Sequence, residues 1–143
     1  PRTLIPATSS SKPAANRYNR PVQAKKLSII VPVYNEKATV EQLIARVQTV
    51  KLPLSREIIA VDDASTDGSG ELLDKMKEDG VVVVRHPKNR GKGAAIRTGL
   101  ALATGDLVLI QDADLEYDPS DFPTLLAPLL DGRADAVYGS QGL

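Results

Sequence analysis

The sequence predicts an α/β fold: a mostly parallel, doubly wound sheet with helices on both faces. Three observations carry that expectation. Five short, β-branched-rich apolar runs recur along the chain, most of them without polar alternation, as strands buried on both faces read. Between them lie stretches with apolar residues at helical spacing. The chain has 143 residues and no cysteine, one domain's length with enough surface to bury a core without disulfides.

The elements follow in order. Residues 1–26 are rich in Pro, Ser, Ala and Asn and lack a periodic apolar pattern, so they read as a mobile tail. Residues 27–33 form the first expected strand. Residues 39–50 place Val40, Leu43, Ile44 and Val47 on one helical face. Residues 57–61 form the second strand, and residues 70–78 a helix with Leu72, Leu73 and Met76. Residues 81–85 form the third strand, and residues 93–103 a helix holding Ala94, Ile96, Leu100 and Leu102. Residues 107–111 form the fourth strand. Residues 119–130 form a fourth helix, with Pro119 in its first turn and Pro128 kinking or ending it. Residues 134–138 form the last strand. Strand-helix alternation implies right-handed crossovers, with ligands outside the carboxyl ends of the strands.

Charge divides the chain. It carries 18 basic and 18 acidic residues, but residues 1–26 hold six of the basic ones and no acid. The remaining body is acidic by six charges. An acidic body argues against nucleic acid as a partner and suits a site that holds a cation. The basic tail reads either as a soluble linker or as a segment resting on an anionic membrane face. No apolar run approaches the length of a membrane span. The expected location is cytoplasmic, free or peripheral at the membrane's cytoplasmic face. Absent cysteine excludes thiol nucleophiles and Cys-ligated zinc, and one histidine excludes a two-histidine metal site.

The strand ends hold the chemistry. After the first strand, Pro32 removes a backbone donor and is expected to force the chain out of the sheet. Tyr34 is placed to stack on a base or to cap the core, and Asn35 and Glu36 to cap the next helix. After the second strand, Asp62 and Asp63 are adjacent carboxylates that repel unless a cation or donors stand nearby. Asp62 is expected to accept from a nucleobase N–H, and Asp63 to meet ribose or a metal. Ser65, Thr66 and Asp67 are expected to cap the following helix. After the third strand, the Gly91-Lys92-Gly93 loop resembles a phosphate loop entering a helix. It is neither a dinucleotide fingerprint nor a Walker loop, because Ile96 stands at the last glycine place and no G-x-x-x-x-G-K-[ST] is present. His86 reads as a surface residue. After the fourth strand, Asp112, Asp114 and Glu116 alternate, so an extended segment projects them the same way. Three such carboxylates suit a hard divalent ion with oxygen ligands.

Taken in order, these segments resemble a family 2 glycosyltransferase with a GT-A nucleotide-sugar-binding fold. The matching text is VPVYNE (31–36), VDDASTDGS (61–69), NRGKGAAIRTG (89–99), DADLEYDP (112–119) and AVYGS (136–140). Within that family the pattern most resembles the polyprenyl- or dolichyl-phosphate mannosyl- and glucosyltransferases. The resemblance implies an inverting transfer of mannose or glucose from GDP-mannose or UDP-glucose to a lipid phosphate. It implies that Pro32, Tyr34, Asn35 and Glu36 line the nucleotide pocket, that Asp62 contacts the base and that Lys92 lies near the nucleotide. It implies that Asp112 and Asp114, the expected catalytic pair, hold Mg²⁺ or Mn²⁺ together with Glu116. Ser140 would begin the acceptor-side loop. Residues 27–143 are therefore expected to be a donor-binding domain, C-terminally incomplete, because the family pattern continues well beyond Ser140. Two alternatives remain: a family 2 enzyme acting on a glycan or cell-wall intermediate, and a non-catalytic nucleotide-sugar-binding module. A phospho-receiver domain is disfavoured, since the later strand end carries Asp-Ala-Asp and no Lys follows the last strand.

Overall fold

The computed structural model describes residues 2–6, 24–114, 119–121, 123–124, 126–127 and 137–139. Its strands are β1 (Arg2–Pro6), β2 (Lys26–Val33), β3 (Ser55–Asp62), β4 (Val82–Arg85), β5 (Leu107–Ile110) and β6 (Val137–Gly139). Its helices are α1 (Val40–Thr49), α2 (Ser69–Met76) and α3 (Lys92–Leu102). The sheet order is β4-β3-β2-β5-β1-β6. β2, β3, β4 and β5 are parallel, and β1 runs antiparallel to β5 and β6.

The unbroken apolar runs are explained by burial on both faces. Leu27, Ile29, Val31 and Val33 of β2 pack with Val40, Leu43, Ile44 and Val47 of α1 and Leu73 of α2. Ile30 points the other way, into a cluster with Val108 and Ile110 that Ile96 of α3 flanks. Ile59 and Val61 of β3 pack against Ala95 of α3. Alternate residues of one strand thus serve two layers, which is the α/β architecture that the sequence predicts.

Three expectations change. Residues 2–6, expected to belong to a mobile tail, form β1 between β5 and β6. The stretch Thr3-Leu4-Ile5 has β-branched and apolar character, but it is too short to stand out in a Pro- and Ser-rich segment. Because of β1, the last strand does not pair with β5 directly. Pro32 does not force an exit: β2 runs on to Val33, with Pro32 opposite Val61. Val33 accepts from Asp63 N–H on the β3 side, and Ile30 accepts from Gln111 N–H on the β5 side. By alternation the Pro32 nitrogen faces the β5 side, where pairing has ended at Ile30 and Ile110, so no ladder bond is lost. Of the expected fourth helix, Pro119–Asp121 forms a 3-10 turn, residues 123–124 and 126–127 are helical, and Leu126 is buried in the α1 layer. Pro128 lies outside the described residues.

Candidate active site at the switch point of the sheet

The chain builds β2, β3 and β4 outward in one direction, then crosses back to lay β5 on the other side of β2. The crevice outside the carboxyl ends of β2 and β5 is therefore the switch point where open α/β sheets bind ligands. Glu36 arrives there from β2, Asp112 and Asp114 from β5, and Lys92 from the first turn of α3.

These groups are tied together. The Thr39 hydroxyl donates to the Ala113 carbonyl at 2.6 Å and stands 3.4 Å from Glu36 Oε2, joining the start of α1 to the Asp-Ala-Asp segment. Burial first, and then the charge of Asp114, raises the Glu36 carboxyl above its ordinary value, with smaller contributions from Asp67 and Asp112. Lys92 Nζ meets Asp112 Oδ1 in an ion pair. Tyr34 is about half exposed at the rim, at 48%.

The two β2- and β3-end loops are stitched to each other. Asn35, at φ 53°, donates its N–H to Ser65 Oγ and accepts from Thr66 N–H. Glu36 N–H donates to Ser69 Oγ, and Lys37 N–H donates to Asp67 Oδ2. The other Asp67 oxygen accepts from the Ser69 N–H and hydroxyl, so of the three expected capping residues Asp67 holds the first turn of α2, while Ser65 and Thr66 pair with Asn35. The Glu36 carbonyl accepts from Thr39 and Val40 N–H and starts α1.

Asp62 and Asp63 point to opposite sides, as neighbours on a strand do, and each finds its own partner. Asp62 is fully buried; its Oδ2 accepts from Arg85 Nε at 3.0 Å and its Oδ1 from Ser65 N–H at 2.9 Å. Asp63 is also buried. Its Oδ1 bonds His86 Nδ1 and Arg90 N–H, and its Oδ2 accepts from Gly91 N–H, all at 2.8 Å. Burial alone would push the Asp63 carboxyl up, but these bonds outweigh it and hold the group below its ordinary value. His86 passes the contact on to the Thr98 hydroxyl of α3 at 2.8 Å. The donors that the sequence demanded for two adjacent carboxylates are thus Arg85 and His86, the residues at the end of the neighbouring strand. His86 is accordingly buried, at 5% exposure, rather than on the surface. Asp63 shapes the loop ahead of Lys92, where ribose or a metal was expected as its partner.

Sequence reasoning missed Thr39 and Arg85, misplaced His86 on the surface, and read Gly91 only as part of a phosphate-like loop. Gly91 has φ 94° and ψ 162°, backbone that a residue with a Cβ scarcely enters. The signal for Arg85 and His86 was present: a basic pair ends the strand beside the one ending in Asp-Asp.

Asp112 and Asp114 supply the hard oxygen donors that Mg²⁺ or Mn²⁺ takes. Asp114, Asp67 and Asp112 each add to the rise that burial gives the Glu36 carboxyl, so several carboxylates lie near one another and the donor set fits such an ion. Among the described residues no group of three or more metal-ligating side chains is assembled. Glu116, the third expected ligand, and Ser140, the expected acceptor-side residue, lie outside the described residues.

A mostly parallel α/β sheet with acidic groups at its switch point is a frame in which open α/β folds bind ligands. The chain belongs to glycosyl transferase family 2, whose family model matches residues 28–142. It is 37% identical over 113 residues to undecaprenyl-phosphate 4-deoxy-4-formamido-L-arabinose transferase of Salmonella choleraesuis, covering 76% of this chain and 35% of that protein. A Pseudomonas aeruginosa protein of the same name is 42% identical over 112 residues, covering 75% of this chain and 33% of that protein. Among solved structures, a Pyrobaculum calidifontis mannosyltransferase in complex with GDP-Man and Mn²⁺ superposes with a TM-score of 0.66 at 29% identity, over 84% of this chain and 36% of that one. Glucosyl-3-phosphoglycerate synthase of Mycobacterium tuberculosis, in complex with Mn²⁺, UDP and phosphoglyceric acid, gives 0.61 at 32% identity, over 74% and 39%. These neighbours share the GT-A fold. The chain spans about a third of the length of the curated relatives it matches. No helix among the described residues is long and apolar enough to cross a membrane.

Proposed function

We propose that the crevice between β2 and β5 binds a nucleoside diphosphate sugar, and that the protein transfers its glycosyl group to a polyprenyl phosphate with inversion. The observation that carries this reading is the meeting of Glu36, Asp112, Asp114 and Lys92 at the switch point of a family 2 chain. Pro32, Tyr34 and Asn35 form the β2 side of the pocket. Asp62 stands at the end of β3 and Asp63 fixes the loop beneath the diphosphate. Asp112, Asp114 and Glu116 are the proposed ligands of Mg²⁺ or Mn²⁺, which would neutralise charge on the departing diphosphate. Lys92 contributes a second positive charge there.

In the proposed transfer, an oxygen of the acceptor phosphate bonds to the anomeric carbon. The bond from that carbon to the diphosphate breaks, and the nucleoside diphosphate leaves with the electron pair. A lipid phosphate is anionic at neutral pH, so its attack needs no strong general base, unlike that of an alcohol. Two names among the similar proteins support a phosphate-bearing acceptor: undecaprenyl phosphate and phosphoglycerate. They differ over the sugar. The curated relatives are named for a formamido-arabinose, a pentose, whereas the solved neighbours are named for mannose and glucose. Mannose or glucose remains the proposed donor sugar on the motif pattern, with the pentose as the competing donor.

Calorimetric titration of the folded chain with GDP and UDP, in Mn²⁺ and in EDTA, tests the donor site. Metal-dependent binding of one nucleotide, lost in Asp114→Ala, is expected. Absence of binding by either nucleotide overturns the reading. Competition by GDP-mannose, UDP-glucose and the nucleotide pentose then fixes the sugar.

A further inference from the structure

We infer that Lys92 is a resident counter-cation for Asp112: it competes with the divalent ion for that carboxylate and transfers to the diphosphate when nucleotide arrives. The inference rests on the donor-site reading above and assigns Lys92 two alternating partners.

The geometry supports the exchange. Lys92 opens α3, and the backbone just before it is fixed, because Arg90 and Gly91 donate their N–H groups to buried Asp63. Asp63 is itself pinned by His86, which reaches α3 again through Thr98. The Lys92 side chain therefore leaves a firm base. Its ammonium sits on Asp112 Oδ1, a proposed metal-ligand atom. The two partners are unequal: the Asp112 side chain is 14% exposed and the Lys92 side chain 49% exposed. The carboxylate is the fixed half of the pair and the lysine the movable half. A flexible four-carbon stem with a compact charge can leave one oxygen for another at little desolvation cost, since its outer side already faces water. A divalent ion arriving alone must displace a positive charge from one of its ligands. An ion arriving with a diphosphate brings the anion that draws Lys92 away. The charge of the ion and that of the diphosphate offset each other, so the net charge of the site changes little, and ion and nucleotide enter together.

The two partners give opposite signs in one variant. Lys92→Met removes the competitor, so nucleotide-free Mn²⁺ is expected to bind about tenfold tighter, the scale for one charge a few ångström from a divalent ion in a water-like dielectric. The same variant removes a diphosphate contact, so the Mn²⁺-dependent affinity for GDP or UDP is expected to fall about tenfold. Lys92→Arg keeps the charge and should stay near the wild type in both. Free Mn²⁺ is read by electron paramagnetic resonance, with and without nucleotide, on chains shown by circular dichroism to be folded. A Met variant that weakens both affinities has merely disturbed the loop and overturns the inference. Nucleotide-dependent Mn²⁺ uptake with equal nucleotide-free affinities in wild type and Lys92→Met overturns the inference and leaves the donor site standing. Mn²⁺ bound by no variant, with either nucleotide or without, overturns both.

Discussion

Asp63→Asn removes one charge and almost no volume, so it isolates what the buried carboxylate does. In the wild type one oxygen bonds His86 Nδ1 and accepts from Arg90 N–H, while the other accepts from Gly91 N–H. An asparagine oxygen can serve only one of these sides. With that oxygen kept toward His86 and Arg90, the amide NH₂ confronts the Gly91 N–H, donor against donor. One charge-assisted bond, worth about 1.5–3 kcal/mol, is lost, and the two that remain weaken. The expected loss is about 3 kcal/mol in the ligand-free chain. With a urea m-value of about 2 kcal/mol/M, the unfolding midpoint falls by roughly 1.5 M. The effect has a pH signature. The Asp63 carboxyl titrates below its ordinary value of 3.8 in the folded chain. Its contribution is therefore complete above about pH 5 and is lost as pH falls through 3.8 and below. The gap between wild type and variant should be full at pH 7 and shrink below pH 4. A ligand-free stability within 0.5 kcal/mol of wild type at pH 7, with only nucleotide affinity reduced, would refute the positioning role. It would restore a direct contact between Asp63 and ligand.

Three further outcomes follow from neighbouring geometry. Gly91→Ala meets no atom within 4 Å, so its cost of about 1–3 kcal/mol comes from backbone conformation alone; calorimetry should show nucleotide affinity falling more than tenfold, and unchanged affinity would contradict the backbone argument. Gly70→Ala would place a Cβ 1.8 Å from Arg85 Nη2 and 2.5 Å from Asp62 Oδ2, prising the guanidinium from a buried carboxylate. Thermal unfolding should register about 2–3 kcal/mol of destabilisation, and Arg85→Met should erase the part of the difference between Gly and Ala that comes from the guanidinium, leaving the part from Asp62 Oδ2. Asp114→Asn removes the largest charge-charge influence on Glu36, so the Glu36 carboxyl, followed by carbon-detected NMR, should titrate lower and closer to its ordinary value.

The fold was legible where burial on two faces left its mark. Ile29, Ile30 and Val31 are consecutive and all fully buried, which only an inner strand with helices on both sides permits. Helices α1 and α2 were legible because Val40, Leu43, Ile44, Val47 and Leu73 fall on single faces. β1 was not, since five residues carry too little pattern and their pairing partners lie more than a hundred residues away. At the site, residue types could be read from the motifs, but their partners could not. Asp62 and Asp63 look alike in sequence. One turns to Arg85 and the other to His86 because the strand alternates, and that division depends on which residues the next strand brings alongside. Thr39 gave no signal, because its hydroxyl serves a carbonyl 74 residues away instead of its own helix.

Residues 81–84 are four valines in a row, and β4, the edge strand they build, is nearly uniform along its length. A run of identical side chains carries no address: slid by one residue against β3, it would present the same valines to the same layers. What sets the alignment is the polar stop at its end. Arg85 registers with Asp62, and the His86 N–H donates to the Asp62 carbonyl while its ring takes Asp63. Slid one residue either way, both carboxylates would stay buried and lose their partners. The two acids at the end of β3 therefore also act as the index marks against which this edge strand is aligned, so an accurate edge and a shaped loop are acquired in the same folding event.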